Sequence, residues 1–272
     1  MTDAHCHVRR GETRHFLCDP TGDMAGPEDV VFHGYHPWFF LGSDRVGIGS
    51  FRVGLGSDRV GLGSSRGELE TLKDPNMTLK DPNLALNDPN LTLNDPKLPL
   101  EALKSRLAAD PRAGVGEIGL DRLKERNISP AMREAFEAQL AIAAEFRRPV
   151  VLHGAKCWGE VAKAAQVHAG RIPAFLFHGF SRSGGLIPQI VAMNGFISVG
   201  PALLNDHAVN YRELVKEIPS DRLLVESDAT AENASETPSV AEIAAKLAEL
   251  RGLTQDELET MLESNATAFA GR

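Results

Sequence analysis

Short apolar runs recur along the chain and alternate with longer amphipathic stretches. Runs that are apolar at nearly every position are typical of strands buried on both faces of a parallel sheet. Eight such runs can be assigned, and the chain after most of them is long enough for a helix. The predicted strands are Thr2–Val8, His15–Asp19, Val30–Tyr35, Ala113–Ile118, Pro149–His153, Pro173–His178, Gly195–Val199 and Leu223–Ser227.

The stretches between the later strands carry apolar residues close to helical spacing. Thr254 and Glu257 form a capping-box pattern, which predicts the start of the last helix. The alternation of strands and helices favours a parallel α/β sheet, and eight strands favour closure into a TIM-type (β/α)8 barrel. The predicted helices are Leu100–Ala109, Arg133–Phe146, Trp158–Val167, Leu186–Met193, Tyr211–Ile218, Ser239–Leu250 and Gln255–Ala270.

The first part of the barrel is expected to have abbreviated helices. The segment Val8–Arg14 is too short for a full helix, and Pro20–Asp29 is rich in Gly, Pro and Asp. These segments predict loops, so the barrel would be incompletely covered on that side.

Residues 42–97, after the third predicted strand, form a tandem array with a period of seven. Early units resemble GSDRVGL and later units resemble MTLKDPN. A period of seven can indicate a coiled coil, but Gly and Pro at this density break helices. We expect a flexible, solvated heptad-repeat insertion within one domain that spans residues 1–272. A short solenoid or a binding flap is the alternative.

Composition narrows the class of protein. The 272 residues, 42% of them hydrophobic, suffice for one barrel of about 250 residues. No apolar stretch approaches the roughly 18 residues that cross a bilayer, and no signal-peptide pattern opens the chain. Three cysteines without CxxC spacing are typical of free thiols in a reducing cytosol, so we expect a cytoplasmic protein. The net charge of -8 argues against a protein that coats nucleic acid. It does not exclude a nuclease, because bound cations can neutralise phosphates locally.

Five of the apolar runs end in side chains that can bind a metal ion. His5 and His7 are two residues apart on a strand, so their side chains leave on the same face. Glu117 lies inside an apolar run, where a carboxylate is unfavourable without a cation or a partner. Four His, one Glu and one Asp suit a divalent metal and hydrolytic chemistry. The candidate ligands are His5, His7, Glu117, His153, His178 and Asp228.

Each candidate also has a structural interpretation. The two amino-terminal histidines could cap a strand, and a single histidine at a strand end is often a hydrogen-bonded core residue. Glu117 could form an ion pair with Arg122 or Lys156. Glu226, two residues before Asp228, is a competing carboxylate that could support the ligands from behind.

Three further residues are candidates for substrate binding. His36 precedes a proline, which favours an extended backbone, and it could contact substrate or stabilise a turn. Lys156 and Arg182 follow strand ends and could hold an anion, or they could be solvated loop charges. Three other histidines are expected at the surface, namely His15, His168 and His207.

Six short motifs lie at or near the ends of predicted strands. They are DAHCH at Asp3–His7, GYHPW at Gly34–Trp38, GEIGLD at Gly116–Asp121, VVLH at Val150–His153, FHGFSRS at Phe177–Ser183 and ESD at Glu226–Asp228. In these motifs and their order, the chain resembles the TatD family of metal-dependent hydrolases over most of its length outside the array. The family is similar to the amidohydrolase-type barrels, which agrees with the fold that the strands predict.

The resemblance implies two divalent ions, which could be Mg, Mn or Zn. It also implies hydrolysis of a phosphodiester bond by a metal-activated water, as in TatD-type deoxyribonucleases. Asp228 would then both bind a metal and accept the proton from that water. The ligands implied for one ion are His5, His7, Glu117 and Asp228, and those for the other are Glu117, His153 and His178.

The chain departs from the family pattern near the substrate. Lys156 stands where the family usually has an Arg, and a lysine cannot bind a phosphate bidentately. Ala229 and Thr230 stand where the family usually has a Pro after the last Asp. The expected partner is DNA or a small phosphodiester, with no membrane, and the expected state is a monomer. The alternatives are a hydrolase of small-molecule amides or lactones, and a non-catalytic binding protein with the array as its partner arm.

Overall fold

The computed structural model describes residues 1–10, 14–18, 25–37, 97–123 and 126–271. Within these residues eight strands form one sheet, and every neighbouring pair is parallel. All eight predicted strands are therefore confirmed, with small differences at their ends. In chain order and in sheet order they are β1 (Thr2–Cys6), β2 (Arg14–Cys18), β3 (Val30–His33), β4 (Gly114–Asp121), β5 (Val150–Ala155), β6 (Phe175–Phe177), β7 (Gly195–Val199) and β8 (Leu223–Val225).

Backbone hydrogen bonds just beyond the strand ends join β8 to β1. The Asp228 N–H donates to the His5 carbonyl at 3.0 Å, and the His7 N–H donates to the Ala229 carbonyl at 2.8 Å. These bonds bring the two edges of the sheet together, and the fold is the predicted TIM-type (β/α)8 barrel. In such barrels the carboxyl ends of the strands form the mouth that carries the active site.

Helices follow the later strands, as the sequence predicts. Ser129 caps α2 by accepting a hydrogen bond from the Met132 N–H at 3.1 Å, and Pro130 opens the helix three residues before the predicted start at Arg133. No described helix is long and apolar enough to span a bilayer. The α-helices are α1 (Lys97–Ala109), α2 (Pro130–Phe146), α3 (Trp158–Gln166), α4 (Ile187–Ala192), α5 (Val209–Glu217), α6 (Val240–Arg251) and α7 (Gln255–Ala270).

The last helix, α7, covers the amino-terminal end of the barrel. It begins with the predicted capping box of Thr254 and Glu257. Thr2, the first residue of β1, donates a hydrogen bond to Glu263 of α7 at 2.9 Å. Phe269 packs against the ring of Phe16 in β2, with centroids 5.5 Å apart. Apolar packing therefore fills this end, and the polar residues collect at the opposite end.

The heptad array lies outside the described residues, except that Lys97, its last residue, begins α1. Residues 11–13 and 19–24 of the abbreviated connections also lie outside them. The described parts of those connections, residues 7–10 and 25–29, contain no helix. The flexibility of the array and the single-domain organisation stay predictions.

Candidate metal centre

Two histidines enter the mouth of the barrel from the end of β1. The pairing of β1 with β2 shifts register between Asp3 and Cys6, and a shift of this kind re-aims the side chains beside it. His5 is fully buried, whereas His7 keeps 30% of its side chain exposed. Their ring centroids are 5.0 Å apart. The Nε2 atoms of both rings face the carboxylate of Glu117.

Glu117 lies at the centre of the site and is almost fully buried. The pairing of β4 with β5 also shifts register around this residue. Its Oε2 lies 3.4 Å from His5 Nε2 and 3.2 Å from His7 Nε2. Its Oε1 lies 2.6 Å from His153 Nδ1 and 2.5 Å from His178 Nε2. The two carboxylate oxygens therefore face different histidines.

Buried carboxylates lie behind His153 and His178, at hydrogen-bond distance from His153 only. The Nε2 atom of His153 lies 3.1 Å from Asp121 Oδ2, and Asp121 is fully buried at the end of β4. The Nδ1 atom of His178 lies 3.8 Å from Glu226 Oε1. Carboxylates behind ligating histidines fix the orientation of the rings and make them better ligands.

Asp228 follows β8 and lies at the open side of the site. Its Oδ1 is 3.4 Å from His5 Nε2, and 51% of its side chain is exposed. Glu226 is buried by contrast, and both of its oxygens accept hydrogen bonds. The Gly179 N–H donates to Oε1 at 2.6 Å, and the Ser198 hydroxyl donates to Oε2. Solvent in the mouth can therefore reach Asp228, whereas Glu226 is enclosed by protein donors.

The histidines and the carboxylates perturb one another's pKa values. Burial alone would raise the pKa of Glu117, but the neighbouring histidines, His178 first among them, lower it well below its usual range. Burial alone would lower the pKa of His178, but the Glu117 carboxylate raises it to about 9. Partial burial opposes ionisation of Asp228, yet the neighbouring His5 imidazole lowers its pKa. The cluster therefore stabilises positive charge, as a cation site requires.

A divalent cation fits this set of side chains. The buried Nε2 of His5 has no hydrogen-bond partner among the described residues, although it faces oxygens of Glu117 and Asp228. A metal ion would satisfy a nitrogen in that position. The barrel brings all six predicted ligands to one mouth. At this mouth, three groups have ligand atoms within 4.8 Å of one another, namely His5, His7 and Glu117; His5, His178 and Asp228; and His36, Glu117 and His153.

The predicted substrate contacts divide into two kinds. His36 lies among the candidate ligands, with Nε2 3.5 Å from Glu117 Oε1 and its ring centroid 4.5 Å from that of His153. Lys156 and Arg182 lie just beyond β5 and β6, and both are exposed. Within the described part of the chain, neither side chain makes a hydrogen bond or an ion pair. Their role toward substrate stays a prediction.

Sequence reasoning gave no role to two buried carboxylates and misplaced one histidine. Asp3 accepts a hydrogen bond from the Ser227 N–H at 2.9 Å and so ties β1 to the end of β8. Asp121, behind His153, was present in the GEIGLD motif, where a carboxylate directly follows apolar residues. The prediction that His15 lies at the surface is wrong. It is buried, because the segment that carries Asp29 covers it and the Asp29 carboxylate lies 3.2 Å from its Nδ1.

A (β/α)8 barrel with histidines and carboxylates gathered at its carboxyl mouth defines a class of metal-dependent hydrolases. The family described as TatD related DNase matches residues 67–271, and the chain belongs to this family. Membership confirms the predicted resemblance and, with it, a hydrolase that uses a divalent metal.

Known proteins that resemble the chain support both the family and the fold. The uncharacterized metal-dependent hydrolase YabD of Bacillus subtilis is 27% identical over 171 residues, which cover 60% of this chain and 67% of YabD. The 3'-5' ssDNA/RNA exonuclease TatD of Klebsiella pneumoniae is 28% identical over 178 residues, which cover 61% of this chain and 68% of that protein. The crystal structure of YJJV, a TatD homologue from Escherichia coli, covers 98% of this chain and 96% of its own with a TM-score of 0.65. At 18% identity, this last similarity concerns the fold.

Proposed function

We propose that this chain hydrolyses phosphodiester bonds in single-stranded DNA with the help of two divalent ions. The observation that carries the proposal is the position of Glu117, whose Oε2 faces His5 and His7 and whose Oε1 faces His153 and His178. Two neighbouring metal ions are typical of enzymes that transfer or hydrolyse phosphoryl groups. Curated relatives are named as exonucleases of single-stranded DNA and RNA, which supports this substrate class.

The ligand set divides into two groups around Glu117. Bound ions would supply the positive charge that activates water and stabilises the charge developing on the phosphate. Imidazole ligands suit Zn²⁺, whereas carboxylates and a phosphodiester substrate suit Mg²⁺ or Mn²⁺, so all three ions belong in the test. The first ion would be held by His5, His7, Glu117 and Asp228, and the second by Glu117, His153 and His178.

Asp228 is the carboxylate placed to accept a proton from the attacking water. Its side chain is open to the mouth, and its Oδ1 lies beside His5 Nε2. Glu226 is less suited to this role because it is buried, and its two oxygens accept hydrogen bonds from the Gly179 N–H and the Ser198 hydroxyl. Glu226 therefore holds the loop after β6, and Asp228 acts on the substrate side.

Substrate phosphate would be held by cations at the rim of the mouth. Lys156 and Arg182 stand just beyond β5 and β6 with exposed side chains, so each is free to pair with a phosphate. His36 contacts the cluster beside Glu117 and faces the same opening. Local cations matter here because the net charge of the chain is -8, which disfavours general attraction of nucleic acid.

The proposal is tested with metal-depleted protein reconstituted separately with Mg²⁺, Mn²⁺ and Zn²⁺. Each form is incubated with an end-labelled single-stranded oligonucleotide, with the corresponding duplex and with bis(p-nitrophenyl) phosphate. We expect metal-dependent cleavage of the single strand. His153→Ala should abolish cleavage, whereas His168→Ala should preserve it, because His168 pairs with Arg171 at the surface, away from the mouth.

Two results would contradict the proposal. The first is the absence of phosphodiester cleavage with all three ions, although the protein is folded and loaded with metal. The second is cleavage of an amide or lactone substrate with no cleavage of the oligonucleotide, which would assign the same metal centre to small-molecule hydrolysis. Equal loss in His168→Ala and His153→Ala would show that the assay reports stability and not the metal site.

A further inference from the structure

Cys18, the last residue of β2, contacts His5 in β1 and His7 just after it. Its Sγ lies 3.3 Å from His5 Nδ1, within the distance of a hydrogen bond to sulfur. Its backbone carbonyl oxygen lies 3.3 Å from His7 Nδ1. Cys18 is buried, and its side chain faces the interior of the barrel beneath the metal centre. One residue therefore reaches the rear nitrogen of two neighbouring ligands, once through its side chain and once through its main chain.

These contacts decide which nitrogen of each ring is free to bind a metal. The Nε2 atoms of His5 and His7 face Glu117 at 3.4 and 3.2 Å. A histidine binds a metal through a nitrogen that carries no proton, so the proton must lie on Nδ1. The Nδ1–H then donates to an acceptor behind the ring, and Cys18 supplies that acceptor in both cases. Such acceptors are usually carboxylates, carbonyls or water.

We propose that Cys18 is the positioning residue of the His5–His7 pair. Its sulfur accepts the His5 Nδ1–H, its carbonyl accepts the His7 Nδ1–H, and both rings are thereby held with Nε2 toward the ion. This inference rests on the metal centre of the proposed function. It concerns only how the ligands are oriented, so metal binding tests it without any substrate.

Cys157 provides a matched control for the removal of a buried thiol. The two residues are buried to nearly the same extent, since 5% of Cys157 and 4% of Cys18 is exposed. The Cys157 Sγ donates to the backbone carbonyls of Leu120 and Ala155 at 3.2 and 3.3 Å, and not to a candidate metal ligand. Both Cys→Ala changes remove one buried sulfur, but only Cys18→Ala leaves a ligand nitrogen without its acceptor.

The experiment measures the dissociation constant for Co²⁺ alone in four full-length proteins: the wild type, Cys18→Ala, Cys18→Ser and Cys157→Ala. Loss of a group behind a ligating histidine typically weakens metal binding by about 10- to 100-fold. We expect a loss of at least about tenfold in Cys18→Ala, by the same principle. Cys18→Ser should recover most of that loss, because its hydroxyl can accept the same N–H. Cys157→Ala should bind Co²⁺ as the wild type does.

Proton NMR of the Co²⁺ proteins separates the two histidines. Ligating imidazoles give shifted, exchangeable N–H resonances, and we expect the His5 resonance to exchange faster with water in Cys18→Ala. The His7 resonance should be unchanged, because the carbonyl of residue 18 survives the substitution. The melting temperatures of the metal-free proteins show whether each variant is folded.

Each outcome decides the matter. Wild-type Co²⁺ affinity in folded Cys18→Ala would overturn the inference, and so would an equal loss in Cys157→Ala. A Cys18→Ser protein as weak as Cys18→Ala would show that packing of the sulfur, and not its hydrogen bond, matters. Absence of Co²⁺ binding by the wild type would contradict the metal centre itself and with it the inference. Tight Co²⁺ binding without DNA cleavage would contradict only the proposed substrate.

Discussion

Replacing Asp228 with Asn removes a negative charge and a proton acceptor from the mouth while keeping the shape of the side chain. Half of this side chain is exposed and its Oδ1 lies 3.4 Å from His5 Nε2, so an amide fits without a clash. A positioned general base contributes about 10²- to 10⁴-fold to the rate of a hydrolytic step. We therefore expect turnover to fall by about 100-fold or more, which corresponds to an increase of about 2.7 kcal/mol in the activation barrier.

The assay is single-turnover cleavage of an end-labelled single-stranded oligonucleotide at saturating Mn²⁺. Asp228 is also a proposed ligand, so the metal content of each protein is measured in the same samples. With equal metal content, a lower rate reports the loss of the proton acceptor. The KM for the oligonucleotide should change little, because the predicted phosphate contacts, Lys156 and Arg182, remain.

Glu226→Gln is the matched control, since it also replaces a carboxylate with an amide, but at a buried residue behind the candidate ligands. The amide oxygen of Gln can still accept the Gly179 N–H, and its NH₂ group can donate to the Ser198 hydroxyl, which rotates to accept. We therefore expect a much smaller loss of turnover than in Asp228→Asn. Near-normal turnover in Asp228→Asn together with a large loss in Glu226→Gln would refute the reasoning and exchange the two roles.

Three further predictions concern stability and reactivity. A Cβ at Gly119 would lie 1.9 Å from the His153 carbonyl oxygen, so Gly119→Ala should lower the free energy of unfolding, measured in urea, by about 3 kcal/mol. Gly159 lies in a helix with open space around it, so Gly159→Ala should raise that free energy by up to about 1 kcal/mol. Similar values for the two variants would contradict the packing around Gly119. Replacing residues 42–96 with a short Gly/Ser linker should leave a melting temperature similar to that of the full chain, because the closure entropy of a loop depends only weakly on its length. Slowly exchanging amides within the array would instead show that it is structured. Burial raises the pKa of Cys157 to about 12, so its alkylation by iodoacetamide at pH 8, followed by mass spectrometry, should be slow in the native protein and fast after unfolding. The same shift should lower stability as the pH rises above about 9, because the unfolded chain then loses the thiol proton first; rapid native alkylation would contradict both expectations.

The fold could be predicted from the sequence because the apolar runs are hydrophobic at nearly every position, with no alternation of apolar and polar residues. Strands buried on both faces show this pattern, and all eight were found within three residues of their observed ends. The ends differ because hydrogen bonding to a neighbouring strand decides where a strand stops. β4, for example, continues through Asp121 because it pairs with β5 as far as Ala155. Periodicity within one run contains no information about its partner.

That the candidate ligands meet at one mouth was predictable for a similar reason, but the groups behind them were not. Parallel strands bring their carboxyl ends to one mouth, so histidines and carboxylates at strand ends must approach one another. The contact between His5 and Cys18 depends instead on the stagger of β1 against β2 and on the register shift within β1. The burial of His15 depends on where the segment around Asp29 folds back. Contacts of this kind, between residues on different strands or segments, are defined only once the barrel is assembled.

We propose that Glu117 would be shared by two ions, and the most direct test is the number of Mn²⁺ ions bound per chain and their magnetic coupling. The protein is reconstituted with Mn²⁺, freed of excess metal, and examined by elemental analysis and electron paramagnetic resonance. We expect close to two ions per chain with the spectrum of an exchange-coupled pair, because one carboxylate faces both histidine pairs. A single ion per chain, or two ions with uncoupled spectra, would contradict it.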